Sequence, residues 1–244
     1  MMNVTDGVYA FPLTLEIDHP EAETDEVTFH PSAVETDRGL LLIDAGYPGS
    51  IEGFEENLAE QGFEWADVWG VALTHQDADH AGGLADIVER ADPVVFAHRE
   101  CAPYVDGREH PIKIDDDAER FPAADVDVEL VEGVRFDTLA GPIDVYHTPG
   151  HAPGHVSYHL PEERLLISGD ALHSPEGELD GPRGPLDEER AVESIGKLAD
   201  LAVERTLSQH GGLAEHDPDR IAEIHTEAVE NARSSGQNGE STAE

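Results

Sequence analysis

Leu73-Thr74-His75-Gln76-Asp77-Ala78-Asp79-His80-Ala81-Gly82-Gly83 places two imidazoles and two carboxylates within six positions. It follows Val68-Trp69-Gly70-Val71-Ala72-Leu73, an apolar run that reads as a buried strand. At a strand end, residues two apart point the same way, so His75 and Asp77 converge on one side. Asp79 and His80 are adjacent and diverge as the chain turns into a helix. Such a segment can supply ligands to two neighbouring metal ions, because imidazole and carboxylate both bind zinc, iron or manganese. A lone Asp at a strand-to-helix junction is as readily a helix cap or turn residue. That role does not account for the whole cluster. Asp77 and Asp79 would repel each other there, and a cation removes the conflict.

Working outward, four more ligand-type residues stand at the ends of apolar runs beside Gly or Pro. Asp44 closes Leu40-Leu41-Leu42-Ile43-Asp44-Ala45-Gly46. His151 sits in the constrained loop Thr148-Pro149-Gly150-His151-Ala152-Pro153-Gly154-His155. Asp170 ends Leu165-Leu166-Ile167-Ser168-Gly169-Asp170, and His210 lies in Leu207-Ser208-Gln209-His210-Gly211-Gly212. Strand ends are rigid places from which side chains can be aimed into a shared cleft.

These motifs, in this order, resemble the metallo-β-lactamase superfamily, whose usual signature is His-x-His-x-Asp-His followed by a His, an Asp and a final His. The resemblance covers roughly residues 7–215. It implies a four-layer αβ/βα sandwich, an α/β (α+β) fold, and two divalent metal ions, zinc first with manganese or iron as alternatives. It assigns His75, Asp77 and His151 to metal 1, and Asp79, His80 and His210 to metal 2. Asp170 would bridge the two. Asp44 and His155 would stand behind the ligands and orient them. Glyoxalase II-like members suggest thioester substrates; lactones and other small esters or amides are equally compatible.

One position departs from the family pattern: Asp77 stands where His is usual. With Asp77, Asp79 and Asp170 facing two dications and a bridging hydroxide, the centre would be formally neutral. With His it would carry one positive charge. A less positive site acidifies bound water less and favours harder ions, so weaker zinc selectivity is expected.

Composition bounds the partners. The chain has 244 residues, enough for one large domain, and 54 acidic against 14 basic residues give a net charge of -40. The acid is spread along the chain rather than gathered in a tail, which reads as the surface of a cytoplasmic protein from a high-salt organism. The same charge argues against nucleic acid and anionic membranes as partners. A small-molecule substrate and a homo-oligomeric partner remain compatible with it. No apolar run is long enough for a membrane span, and no signal peptide is evident. The single cysteine, Cys101, excludes a disulfide framework and reads as a small buried residue.

Along the chain, strands are expected over 8–17, 27–36, 39–44, 68–73 and 93–97, then over 126–131, 134–139, 143–147, 155–160, 165–168 and 205–208. An acidic turn, Asp18-His19-Pro20-Glu21, separates the first two. Helices are expected around Ile51, Phe54 and Leu58, over 81–91, and near 187–203 and 218–233. Residues 99–126 read as a surface rim or lid rather than core, and 171–186 as a second loop. The whole reads as one domain over 1–233, with a polar, disordered tail over 234–244.

The expected chemistry is hydrolysis. A hydroxide held between two ions attacks a polarised carbonyl, and Asp79 orients the water and shuttles its proton. His147 and His173 could line the pocket; His19, His30, His98, His110, His159, His216 and His225 read as surface or structural. One alternative is a mononuclear iron dioxygenase of the persulfide type on the same scaffold. Another is a metal-stabilised binding protein without catalysis. A nuclease and a true β-lactamase are both disfavoured, and no Gly-x-Ser-x-Gly elbow offers a serine mechanism.

Overall fold

The computed structural model describes residues 2–17, 25–115 and 117–239. The first half of the chain forms β1 (Met2–Thr5), β2 (Val8–Ala10), β3 (Leu13–Ile17), β4 (Asp25–Phe29), β5 (Ser32–Thr36) and β6 (Gly39–Ile43). Then come α1 (Ile51–Glu60), β7 (Val68–Ala72), α2 (Ala78–Ala81), α3 (Leu84–Ala91), β8 (Val94–His98), α4 (Ala102–Val105) and β9 (Val128–Leu130). The second half forms β10 (Arg135–Thr138), β11 (Gly141–His147), β12 (Val156–Leu160) and β13 (Leu165–Gly169). It ends with α5 (Glu188–Ala199), β14 (Arg205–Ser208), β15 (Gly212–Glu215) and α6 (Arg220–Gly239).

Two mixed sheets result. One has seven strands in the order β1-β2-β5-β6-β7-β8-β9, the other six in the order β10 to β15, and β3-β4 is a separate hairpin. The alternation of side chains along β6 shows how the layers assemble. Leu41 and Ile43 face the second sheet and pack with Ile143, Val145, Tyr158 and Ile167. Leu40 and Leu42 face the other way, where Phe54 and Leu58 of α1 and Leu84 and Ile87 of α3 cover them. On the far side, Leu166 of β13 meets Ile195 and Leu198 of α5 and Ile221 and Ile224 of α6. The order is helix, sheet, sheet, helix, the expected αβ/βα sandwich.

The departures have local causes. The strand read over 8–17 breaks at Phe11-Pro12, and that over 27–36 breaks at His30-Pro31, because proline offers no N–H to a ladder. The helix read over 81–91 divides at Gly82-Gly83 into α2 and α3. A Cβ on Gly83 would lie 2.3 Å from the Ala45 carbonyl oxygen, so this junction is pressed against the loop that carries Asp44. Residues 99–126 are largely irregular, but reading them as rim rather than core needs correction. Cys101, Ala102, Val105 and Phe121 are buried in the helix-side core, as apolar residues spaced between the acidic ones. Strands β1 and β15 were not expected. Helix α6 runs to Gly239, into the stretch read as a tail. Residues 240–244 and the acidic turn at 18–21 lie outside the described residues. No described helix is long and apolar enough to cross a membrane.

Candidate metal centre

The cluster segment leaves β7 and is bolted down by Asp44 at the end of β6. Asp44 Oδ1 accepts the Thr74 backbone N–H at 2.7 Å, and Oδ2 accepts from the Thr74 hydroxyl at 2.8 Å. Oδ2 also accepts from His80 Nδ1 at 2.8 Å. To reach all three, Asp44 adopts a left-handed backbone with φ 67°, a region that Asp tolerates better than most side chains. With its hydroxyl proton given to Asp44, Thr74 accepts from His75 Nδ1 at 3.1 Å. Both imidazoles are thereby fixed with Nε2 turned inward.

The seven predicted ligands come together in two groups, Asp79/His80/Asp170/His210 and His75/Asp77/His151. In the first, His80 Nε2 lies 3.3 Å from Asp170 Oδ1 and 3.6 Å from Asp79 Oδ2. His210 Nε2 lies 3.0 Å from Asp79 Oδ2 and 3.5 Å from Asp170 Oδ2. In the second, Asp77 Oδ2 is 3.3 Å from His75 Nε2 and 3.0 Å from His151 Nε2. Asp170 Oδ2 is also 3.3 Å from His151 Nε2, so this carboxylate faces both groups.

Asp170 is itself positioned from behind. Its backbone N–H donates to His155 Nε2 at 3.0 Å, while His155 Nδ1 donates to the Thr148 hydroxyl at 2.9 Å. Burial and the neighbouring histidines push His155 well below its ordinary pKa, which keeps the imidazole neutral and able to accept. Gly169 must be glycine: its φ is +54°, and a Cβ there would lie 2.7 Å from His155 Nε2.

A model of the metallo-beta-lactamase superfamily matches residues 32–210, which include all these side chains. The chain belongs to the metallo-β-lactamase superfamily. It is 35% identical over 199 residues to the probable metallo-hydrolase YflN of Bacillus subtilis, covering 70% of this chain and 75% of that protein. It is 32% identical over 141 residues to a hydroxyacylglutathione hydrolase of Rhizobium meliloti, covering 55% of this chain and 47% of the relative. Among solved structures, a metallo-beta-lactamase family protein from Thermus thermophilus aligns with TM-score 0.72 and 24% identity, covering 95% of this chain and 82% of that one. A metallo-beta-lactamase with a HARLDQ motif from Cronobacter sakazakii aligns with TM-score 0.74 and 22% identity over 100% and 95% of the two chains. The chain is thus a metallo-hydrolase of this superfamily.

The donor set suits the divalent ions that members of the superfamily bind. Nε2 of His75, Nε2 of His80 and Oδ1 of Asp170 are buried and make no hydrogen bond, and each of the two nitrogens lies 3.3 Å from a carboxylate oxygen. Buried polar atoms left without partners are costly, and a cation among them removes the cost. Electrostatics concur. Burial would raise the Asp79 carboxyl, yet His80 and His210 hold it down at about 2. Burial likewise opposes ionisation of Asp170, which His80 and His210 nevertheless keep well below the usual carboxylate range. His80 is raised well above its ordinary value against burial, by Asp79, Asp44 and Asp170.

Sequence reasoning missed two contributors. Gln209 donates from Nε2 to the Asp79 carbonyl at 2.7 Å and so ties the cluster segment to the loop of His210. Lys113, from the irregular segment, places Nζ 2.7 Å from Asp77 Oδ2 and 2.5 Å from His151 Nε2. Its signal was rarity, since the chain has only two lysines, Lys113 and Lys197. A third grouping, His98/Glu100/His147, lies apart. Its two rings stack at 4.1 Å, and His98 Nδ1 and His147 Nε2 are engaged by backbone groups at Glu100 and Pro153.

Proposed function

We propose that this protein hydrolyses a small thioester, lactone, or other ester or amide at a centre of two divalent ions. The observation that carries this reading is Asp170, whose one carboxylate faces both ligand groups. A single-iron dioxygenase would leave Asp79 and His210, whose side chains approach to 3.0 Å, without a task. Bound in these groups, two ions would supply a water nucleophile at neutral pH and stabilise charge on the attacked carbonyl oxygen.

The chain's own residues do the rest. Asp44, Thr74 and His155 hold the ligands so that little reorganisation is needed on binding. Asp79 is the least buried of the four residues around His80, with 16% of its side chain exposed, and it is held ionised. It is the group placed to orient water and accept its proton. Beside His210, a cavity of about 240 Å³ is lined by Glu26, Val27, Thr28, His173, Pro175 and Arg183. It is sized for a small acyl group, with one guanidinium and one carboxylate, Arg183 and Glu26, for its polar groups. The relatives' names bear on substrate class: one is a hydroxyacylglutathione hydrolase, and an N-acyl homoserine lactonase of a Bacillus species is 27% identical over 197 residues.

The test is a panel of chromogenic thioesters, lactones, esters and β-lactams in molar salt, on protein loaded with zinc, manganese or iron(II). Hydrolysis of a thioester or lactone that a chelator abolishes, and that Asp79→Asn lacks, is expected. Turnover no faster than the Asp79→Asn variant across the panel would sink the reading. Given Asp77, manganese or iron(II) is expected to support turnover at least comparably to zinc.

A further inference from the structure

We propose that the Lys113 ammonium is the resident cation of the His75/Asp77/His151 group. An entering metal ion must displace it, so the two metal positions load unequally. This rests on the metal-centre reading above and adds a determinant that the ligand motifs do not contain.

The case begins with the His151 tautomer. His151 Nδ1 lies 2.5 Å from the Arg183 carbonyl oxygen, which only accepts, so Nδ1 carries the proton. Neutral His151 therefore presents a lone pair at Nε2, and that lone pair faces Asp77 Oδ2 at 3.0 Å. Lone pair against carboxylate is repulsive unless a positive group lies between them. Lys113 Nζ sits there, 2.5 Å from one atom and 2.7 Å from the other. Its position is the one that a metal ion bound by the same two atoms would need. Ammonium and dication cannot share it, because like charges a few ångströms apart in a partly buried pocket repel strongly.

Charge supports the same conclusion. Aspartate in place of the usual histidine at position 77 adds one negative charge to this group, and Lys113 adds one positive charge. The other group has no such occupant. Among the described residues the carboxylates of Asp79 and Asp170 pair only with histidines. Lys113 can leave: its side chain is 28% exposed and comes from a turn beyond α4 rather than from a strand.

Chelator-stripped protein titrated calorimetrically with zinc or manganese should show one tight and one weaker step, with metal content checked by elemental analysis. His151→Ala should delete the weaker step. Lys113→Met should tighten it about tenfold or more, the loss of one charge-assisted contact, and leave the tight step alone. A second readout needs no variant. Because Lys113 and Lys197 are the only lysines, acylation followed by mass spectrometry reports on each. Filling both positions should raise Lys113 labelling several-fold, with Lys197 as the internal control. Two equal steps in the unmodified protein, unmoved by Lys113→Met, would overturn the proposal and leave the metal centre standing. So would Lys113 labelling that is indifferent to full loading. Absence of any metal binding would overturn both.

Discussion

His80 and Asp77 lie three residues apart in one segment, yet they belong to differently built halves of the centre. His80 is fully buried, tied at Nδ1 to Asp44, and Asp44 is in turn held by Thr74. Asp170 beside it is braced by His155, and Asp79 is anchored through its carbonyl by Gln209. Asp77 is backed only by its neighbour in the chain, the buried Gln76, whose Nε2 donates to Asp77 Oδ1 at 3.0 Å. Its carboxylate caps nothing in α2 and instead reaches Lys113 on an irregular segment at the solvent edge. Position in the sequence motif therefore does not determine rigidity. What differs is the brace: buried groups distant in sequence on the His80 side, and for Asp77 an adjacent side chain and a lysine at the solvent edge. The rigid half should bind its ion tightly and tolerate little change, and the softer half should be the tunable one.

The largest expected effect comes from Asp170→Ala, which removes the carboxylate that both halves share. Elemental analysis should find the protein depleted of both ions, and hydrolysis should fall roughly 10³-fold or more. Retention of two ions would show the halves to be independent. Asp44→Ala attacks the rigid half from behind. It leaves the Thr74 N–H without its acceptor, worth about 1–3 kcal/mol in denaturation, and leaves His80 Nδ1 only the Thr74 hydroxyl, and should weaken the tight metal step about 10–100-fold. His155→Gln disturbs only the brace on Asp170, and about tenfold weaker binding is expected in the same titration. Asp77→His confines itself to the soft half. It should shift metal preference toward zinc and release Lys113, as seen by faster acylation, with the tight step unchanged.

The smallest effect serves as a control outside both halves. Burial, aided by His147, lowers the His98 pKa from 6.5 to about 4. The folded protein therefore binds this proton less readily than the unfolded chain. Its contribution to stability is complete above pH 6.5 and is lost as pH falls toward 4. His98→Gln should flatten that portion of the stability profile without altering either metal step.

Much of this was legible in the letters because strand ends announce themselves. Apolar runs that stop at Asp44, at His75, at Asp170 and before His210 put ligand-type residues where two sheets present their edges, and the unbroken apolar run Leu40–Ile43 announced a strand covered on both faces. Other features were hidden for physical reasons. A proline inside an apolar run says that a ladder breaks, but not that the two pieces will join different sheets, as β2 and β3 do. Residues 99–126 have no period, so nothing in the spacing marked Cys101, Val105 and Phe121 as buried or Lys113 as pointing inward. Gln209 and Thr148 act through hydrogen bonds to groups far away in sequence or to a neighbouring imidazole, which no local pattern encodes. The motifs thus reveal the ligands, whereas what grips or competes for the ligands depends on long-range packing.

Each ligand group draws side chains from both sheets: His75 and Asp77 after β7 with His151 after β11, and Asp79 and His80 with Asp170 and His210 after β13 and β14. An ion in either position is consequently a rivet across the seam of the sandwich. Metal supply then governs more than turnover, since a chain that has met no metal is held across that seam by apolar contact and a few hydrogen bonds, such as Tyr158 to Leu73 and Gln209 to Asp79, and should open there more readily when heated.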